Sequence, residues 1–139
     1  MSNVVAGIGR GQLFHLNEHR DRKEMVYRRY EQGLKGLPIT LNPYLPDTKP
    51  NFWLSCMLID KSCGVSPMTV MEKLNEANVE SRPIWKPMHL QPVFKNNDFI
   101  TVGDCVNEQI FARGLCLPSD IKMTEEEQNY VMDVIKKCF

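Results

Sequence analysis

Apolar residues recur through the first part of the chain at roughly helical spacing: Val5, Ile8, Leu16, Tyr27, Tyr30, Leu34 and Leu37. The pattern predicts one long N-terminal helix over residues 1–37. Its middle carries Glu18, Arg20, Asp21, Arg22, Lys23, Glu24, Arg28 and Arg29, a solvated face with opposite charges in reach of one another. Pro38, Pro43, Pro46 and Pro50 then exclude a helix or a central strand, so 38–51 reads as a proline-rich connection. The apolar run Phe52–Asp60 predicts a buried strand. Ser66-Pro67 is an N-cap followed by proline at the first helical position, and Val70, Met71 and Leu74 form that helix's buried face. Val79–Ile84 predicts a short strand ended by Pro83, and Pro83–Pro92 a loop. Asp104 is the expected cap of a helix through Arg113 that stops at Gly114. Leu115–Pro118 predicts another strand. Thr124 with Glu127 is a capping-box pattern opening a last helix with Val131, Val134, Ile135 and Cys138 on one face. This alternation, with its α/β layer over 52–139, predicts a small α/β or α+β layer structure.

Composition narrows the setting. The 139 residues carry 17 Lys plus Arg against 17 Asp plus Glu, a formal net charge of zero. That removes any global electrostatic case for a nucleic-acid or anionic-membrane partner. No apolar run approaches a membrane span. The five cysteines are odd in number and hold no C-x-x-C pair, which argues against a disulfide framework or a zinc knuckle. They read as reduced thiols of a cytoplasmic protein, several of them small core residues.

Three motifs bear on chemistry. Gly7, Gly9 and Gly11 miss the dinucleotide-loop spacing, because position 12 is Gln12 and no strand precedes them. They read instead as places where another backbone packs closely on the helix. His15-Leu16-Asn17-Glu18-His19 is formally H-x-x-E-H, with both histidines on one helical face. A zinc hydrolase would also need a third protein ligand, and none is singled out, so no metal site is expected. The densest cluster is the Arg82–Pro92 loop, with Arg82, Trp85, Lys86, Met88, His89 and Gln91 stiffened by three prolines. Its mixture of cations, apolar surface and hydrogen-bonding groups suits a phosphate-bearing polar ligand. A proline-rich connection with a packed tryptophan fits the same residues, and the sequence pattern leaves both open. No nucleophile–base pair, G-x-S-x-G or P-loop is legible.

Longer stretches resemble a known family. Residues 2–13 (SNVVAGIGRGQL) look like the motif opening the C-terminal third of the DegT/DnrJ/EryC1/StrS family, pyridoxal-phosphate-dependent aminotransferases acting on nucleotide-linked keto sugars. Residues 82–94 (RPIWKPMHLQPVF) resemble the family's R-P-L-W-K-P-M-H-L-Q-P-V-F loop, and 111–119 (FARGLCLPS) its F-x-x-G-L-C-L-P-S segment. The departures are Asp120, where glycine is common, and Val102-Gly103 in place of Gly-Gly.

The resemblance implies more than the residues alone. The expected fold is the small C-terminal domain of a fold-type-I aminotransferase, spanning 1–139, with an antiparallel sheet of about three strands under helices. The Schiff-base lysine, the acid facing the pyridine nitrogen and most phosphate ligands of the family lie upstream. No catalytic residue is therefore expected in this chain. Pyridoxal phosphate is expected in a full-length enzyme, working in polysaccharide or related sugar biosynthesis, and not on this piece. Implied partners are a large N-terminal domain, a second subunit completing the active site, and a nucleotide-sugar substrate. Arg82, Trp85, Lys86, Met88, His89 and Gln91 are the residues implied to contact or enclose that substrate. The competing expectation is a stand-alone sugar-nucleotide-binding domain derived from the family.

Overall fold

The computed structural model describes residues 2–139. The predicted long helix divides. Helix α1 covers Asn3–Leu13, a turn at Phe14-His15 interrupts the register, and α2 covers Leu16–Gly33. Ser2 caps α1 through Val5 N–H, but α1 buries no residue. Helix α2 buries Val26, Tyr27 and Tyr30. The charged middle of α2 is the exposed face expected of it, with Arg22–Glu18 at 2.6 Å and Arg28–Glu31 at 3.0 Å.

Four short strands follow: β1 (Ile39–Leu41), β2 (Cys56–Ile59), β3 (Arg82–Pro83) and β4 (Gly114–Cys116). Their order is β1-β2-β4-β3, antiparallel throughout. Strand β1 lies in the stretch read as a connection. The prolines keep it short and at the edge, where a missing N–H costs no ladder bond. Strand β3 is likewise an edge, and Pro83 takes part in it opposite Leu115. Between β1 and β2, Phe52 (φ 48°) is buried in an aromatic cluster with Tyr27 and Tyr44.

Helices α3 (Pro67–Glu76), α4 (Val106–Arg113) and α5 (Glu125–Lys136) complete the fold. Ser66 caps α3 through Thr69 N–H at 3.1 Å, with Pro67 at its start. The capping box of α5 is closed, with Glu127 N–H on Thr124 Oγ1 (3.2 Å) and Thr124 N–H on Glu127 Oε2 (2.8 Å). Helix α4 differs from expectation: its N-cap is Cys105, not Asp104, and the Cys105 side chain makes no capping bond. Its end is where it was expected, with the helix running through Arg113 and stopping at Gly114. Gly114 has φ −97° and ψ 147°, so the chain leaves the helix straight into β4 without a left-handed turn.

Met57 and Ile59 of β2 and Leu115 of β4 face a core filled by Tyr30 and Leu34, Val70 and Leu74, and Val131 and Ile135. Side chains alternate across a strand. Gly114, beside Leu115, therefore faces the opposite side, where a Cβ would meet the Ile84 side chain and the Ile110 carbonyl oxygen. The core lies on one face of the sheet. On the other lie α4 and the segment that follows β3.

Candidate functional site

That second face carries the candidate site. After β3 the chain runs through two 3-10 turns, Met88–Leu90 and Pro92–Phe94, each preceded or opened by proline. Proline fixes φ near the value such turns need and removes a donor they would leave unpaired. The turns fold back against α4 and enclose a cleft of about 790 Å³. Trp85, Lys86, Met88, His89 and Gln91 all line it. Five of the six residues expected to meet a ligand thus share one cavity.

Arg82 does not join them. It lies on edge strand β3, ion-paired with Glu80, and borders a separate hollow with Trp85 and Cys116. The guanidinium is already neutralised by a neighbour two residues away. An anion in the cleft would have Lys86 as its cation, not Arg82.

Within the cleft His89 is the most constrained polar group. Its ring stacks on Phe99 (centroids 3.7 Å apart, 17° between planes), and its Nε2 lies 2.8 Å from Glu108 Oε1. The histidine side chain is 16% exposed and the glutamate 46%. Gln91 donates Nε2–H to the Lys86 carbonyl (3.2 Å), bracing the loop on itself. Trp85 lines the cleft and packs on Trp53, ring centroids 5.6 Å apart. Lys86, Trp85 and Met88 are exposed to solvent.

Phe94, the last residue of the motif, and Asn97, Asp98, Phe99, Asn107 and Ile110 beyond it also line the wall. Sequence reasoning missed them. Asn97 and Asp98 lie in a polar loop with no periodicity, and Glu108 is one charge on an ordinary amphipathic helix. Only the turn that brings residue 89 to residue 108 reveals the pairing.

Among the described residues the H-x-x-E-H motif assembles no cluster of three metal-ligating side chains. His15 is the N-cap of α2, its Nδ1 lies 3.5 Å from Glu18, and its ring stacks on His19 at 5.9 Å. Glu18 is also held by Arg22. Among the described residues, three metal-ligating side chains converge in one place only: His89, Cys105 and Glu108. The thiols are free, and Cys116 is buried. Cys56 and Cys116 face each other across β2 and β4, Sγ to Sγ 3.6 Å. Their shared hydrogen bond raises the Cys56 thiol, with burial adding, and lowers Cys116.

Helices layered on a small antiparallel sheet, with a proline-braced cleft on its second face, superpose on about a third of the length of solved sugar aminotransferases. The chain belongs to the DegT/DnrJ/EryC1/StrS aminotransferase family, whose model matches residues 1–136. EpsN of Bacillus subtilis, described as a pyridoxal phosphate-dependent aminotransferase, is 37% identical over all of this chain and 36% of its own. The GDP-perosamine synthase of Vibrio cholerae is 27% identical over all of this chain and 38% of its own. In the solved structure of Spr1654 from Streptococcus pneumoniae, a sugar aminotransferase by description and in its PMP form, 99% of this chain superposes on 35% of that one. The TM-score is 0.87 at 22% identity, which establishes the fold. The chain spans little more than a third of the length of these relatives. The sheet has four strands where about three were expected, because Ile39–Leu41 adds an edge.

Proposed function

We propose that residues 1–139 form the small C-terminal domain of a pyridoxal-phosphate-dependent enzyme that transfers an amino group to a nucleotide-linked keto sugar, and that the cleft on the second face of the sheet meets the substrate. The observation carrying this reading is the convergence of Trp85, Lys86, Met88, His89 and Gln91 on one cavity. Aromatic and apolar surface from Trp85, Met88 and Phe99 suits a sugar ring, the amide and imidazole groups beside it suit its hydroxyls, and Lys86 suits a phosphate oxygen. The GDP-perosamine synthase relative supports the nucleotide-sugar class by its name.

The cofactor supplies an electron sink for the amino transfer. It needs a lysine for its imine and a carboxylate facing the ring nitrogen. The cleft offers one amine, Lys86, and one lining carboxylate, Asp98, both exposed. That is not an enclosed pair, so this chain does not fit the cofactor by itself. The reading therefore places the cofactor on the large domain and on a second subunit. This chain's part is to enclose and orient the sugar.

The test is titration of the chain with a nucleotide-linked amino sugar, read by tryptophan fluorescence, since Trp85 lines the cleft. Saturable quenching is expected, weakened at least tenfold by Lys86→Ala and by His89→Ala and little by Arg82→Ala. No amino transfer is expected from the chain alone with cofactor, donor and keto sugar added. Equal weakening by a surface change such as Lys137→Ala would overturn the cleft assignment. Turnover by the chain alone would overturn the division of labour. Tight binding by a chain whose cells hold no longer form would favour the stand-alone binding domain.

A further inference from the structure

We infer that His89, Cys105 and Glu108 form a Zn²⁺ site that clamps the cleft loop to the start of α4. One donor atom from each residue lies within 4.8 Å of the others. The donors are an imidazole nitrogen, a sulfur and a carboxylate oxygen. That mixed set is what Zn²⁺ accepts and what Mg²⁺ and Ca²⁺, oxygen-seeking ions, do not.

Two features separate the cluster from an ordinary ion pair. The first is the state of the sulfur. Cys56, Cys63, Cys116 and Cys138 each have a hydrogen-bond contact through Sγ. Among the described residues, Cys105 is the cysteine with none, although it occupies an N-cap, where a side chain ordinarily bonds the first turn. Its sulfur is uncommitted and close to two further donors. The second is rigidity. Phe99 fixes the His89 ring plane, and Cys105 and Glu108, three apart at the start of α4, project along one side of its first turn.

A tetrahedral zinc ion holds its donors about 3.3–3.7 Å apart, given bonds of roughly 2.0–2.3 Å. Binding therefore asks the His89–Glu108 pair to open from 2.8 Å and the sulfur, at most 4.8 Å from either, to close by no more than about 1–1.5 Å. The thiol proton leaves to solvent, the hydrogen that Nε2 held towards Glu108 is lost as the neutral ring becomes the Nδ1–H tautomer by exchange with solvent, Nε2 presents its lone pair, and the fourth position stays open. Zinc and a sugar would compete for His89, so the ion would act as a brake on the cleft. The metal site goes beyond the sugar reading and does not rest on it; only the brake does.

The experiment is zinc titration of the metal-free, reduced chain against a chromophoric chelator, with Co²⁺ as a spectroscopic stand-in. One equivalent should bind, and the Co²⁺ form should show a sulfur-to-metal charge-transfer band. Cys105→Ser should abolish the band and weaken zinc more than about a hundredfold, beyond the 10–100-fold typical of groups behind a ligand. Serine is a better N-cap than cysteine, so this variant keeps α4. Glu108→Gln should weaken zinc at least tenfold. Wild-type affinity in Cys105→Ser, a band lost only in Cys56→Ser, or no stoichiometric binding would each overturn the site.

Discussion

Ser55 and Ser119 face each other where β2 begins and β4 has just ended, both buried. Their hydroxyls have opposite fates. Ser119 Oγ accepts the Ser55 N–H (2.9 Å) and donates to the Leu117 carbonyl (2.9 Å). Ser55 Oγ has no partner. Leaving a buried donor unpaired costs about 1–3 kcal/mol, whereas deleting an unpaired hydroxyl removes a penalty. Ser119→Ala should therefore destabilise the chain by about 1–3 kcal/mol, and Ser55→Ala should stabilise it by up to about 1 kcal/mol. Urea midpoints with unchanged slopes would establish both; a destabilised Ser55→Ala would reveal a partner for that hydroxyl. Tyr30 is the other decisive residue. It is fully buried, its hydroxyl donates to the Pro118 carbonyl at 2.9 Å, and burial raises its pKa above the usual value near 10. A pKa raised on folding gives stability that is complete below the unfolded value and is lost as pH climbs past it. Stability should thus decline above about pH 10, and Tyr30→Phe should flatten part of that decline. Part remains, because burial raises Tyr27 as well. An alkaline limb identical in Tyr30→Phe would mean that Tyr30 ionises without unfolding anything.

At the scale of elements, legibility followed local chemistry. The caps of α3 and α5 were readable because a side chain and a backbone N–H three residues away are all a cap requires. Strand β1 was not, because Ile39–Leu41 is apolar alternation cut short by prolines, and only pairing with β2 makes it a strand. The division at Phe14-His15 was hidden because apolar spacing continues across it. Asp104 looked the better cap by residue type, yet the turn before α4 places Cys105 there. The motif Arg82–Pro92 supplies much of the cleft wall, but which of its residues face the cleft depends on β3 turning Arg82 towards Glu80. Gly114 joins these elements. A Cβ there would strike the Ile84 side chain and lie 2.6 Å from the Ile110 carbonyl oxygen. Gly114→Ala should cost about 1–3 kcal/mol and weaken ligand binding in the cleft, because Ile84 and Ile110 both line it. Trimming Ile84 as well should restore only part, since the carbonyl stays. Unchanged stability and binding in Gly114→Ala would show that α4 can shift freely away from the strand.

The whole molecule exposes more surface than its mass requires. A folded monomer of 16.1 kDa is expected to show about 7,400 Å², and this chain shows 10025 Å². Much of the apolar excess lies on α1 and its turn: Val4, Val5, Ile8, Leu13 and Phe14 are all more than half exposed. Helix α1 has 11 residues and buries none of them. Isolated helices shorter than about 12–15 residues are marginal in water. Gly7, Gly9 and Gly11 add a penalty of about 3 kcal/mol relative to alanine, and a Cβ at each would meet only open space. Nothing among the described residues therefore rewards these glycines or this helix, which is what a surface made to be covered looks like. Amide exchange should find Asn3–Leu13 nearly unprotected in the dilute chain while the buried end of α2, Val26–Leu34, is strongly protected. Replacing the three glycines with alanine should raise both the helix content and the protection of α1. Protection that grows with chain concentration would mean that copies of the chain cover one another. Protection equal to that of α2 in a dilute monomer would mean that α1 is stable uncovered, and the case for a surface awaiting a partner would fail.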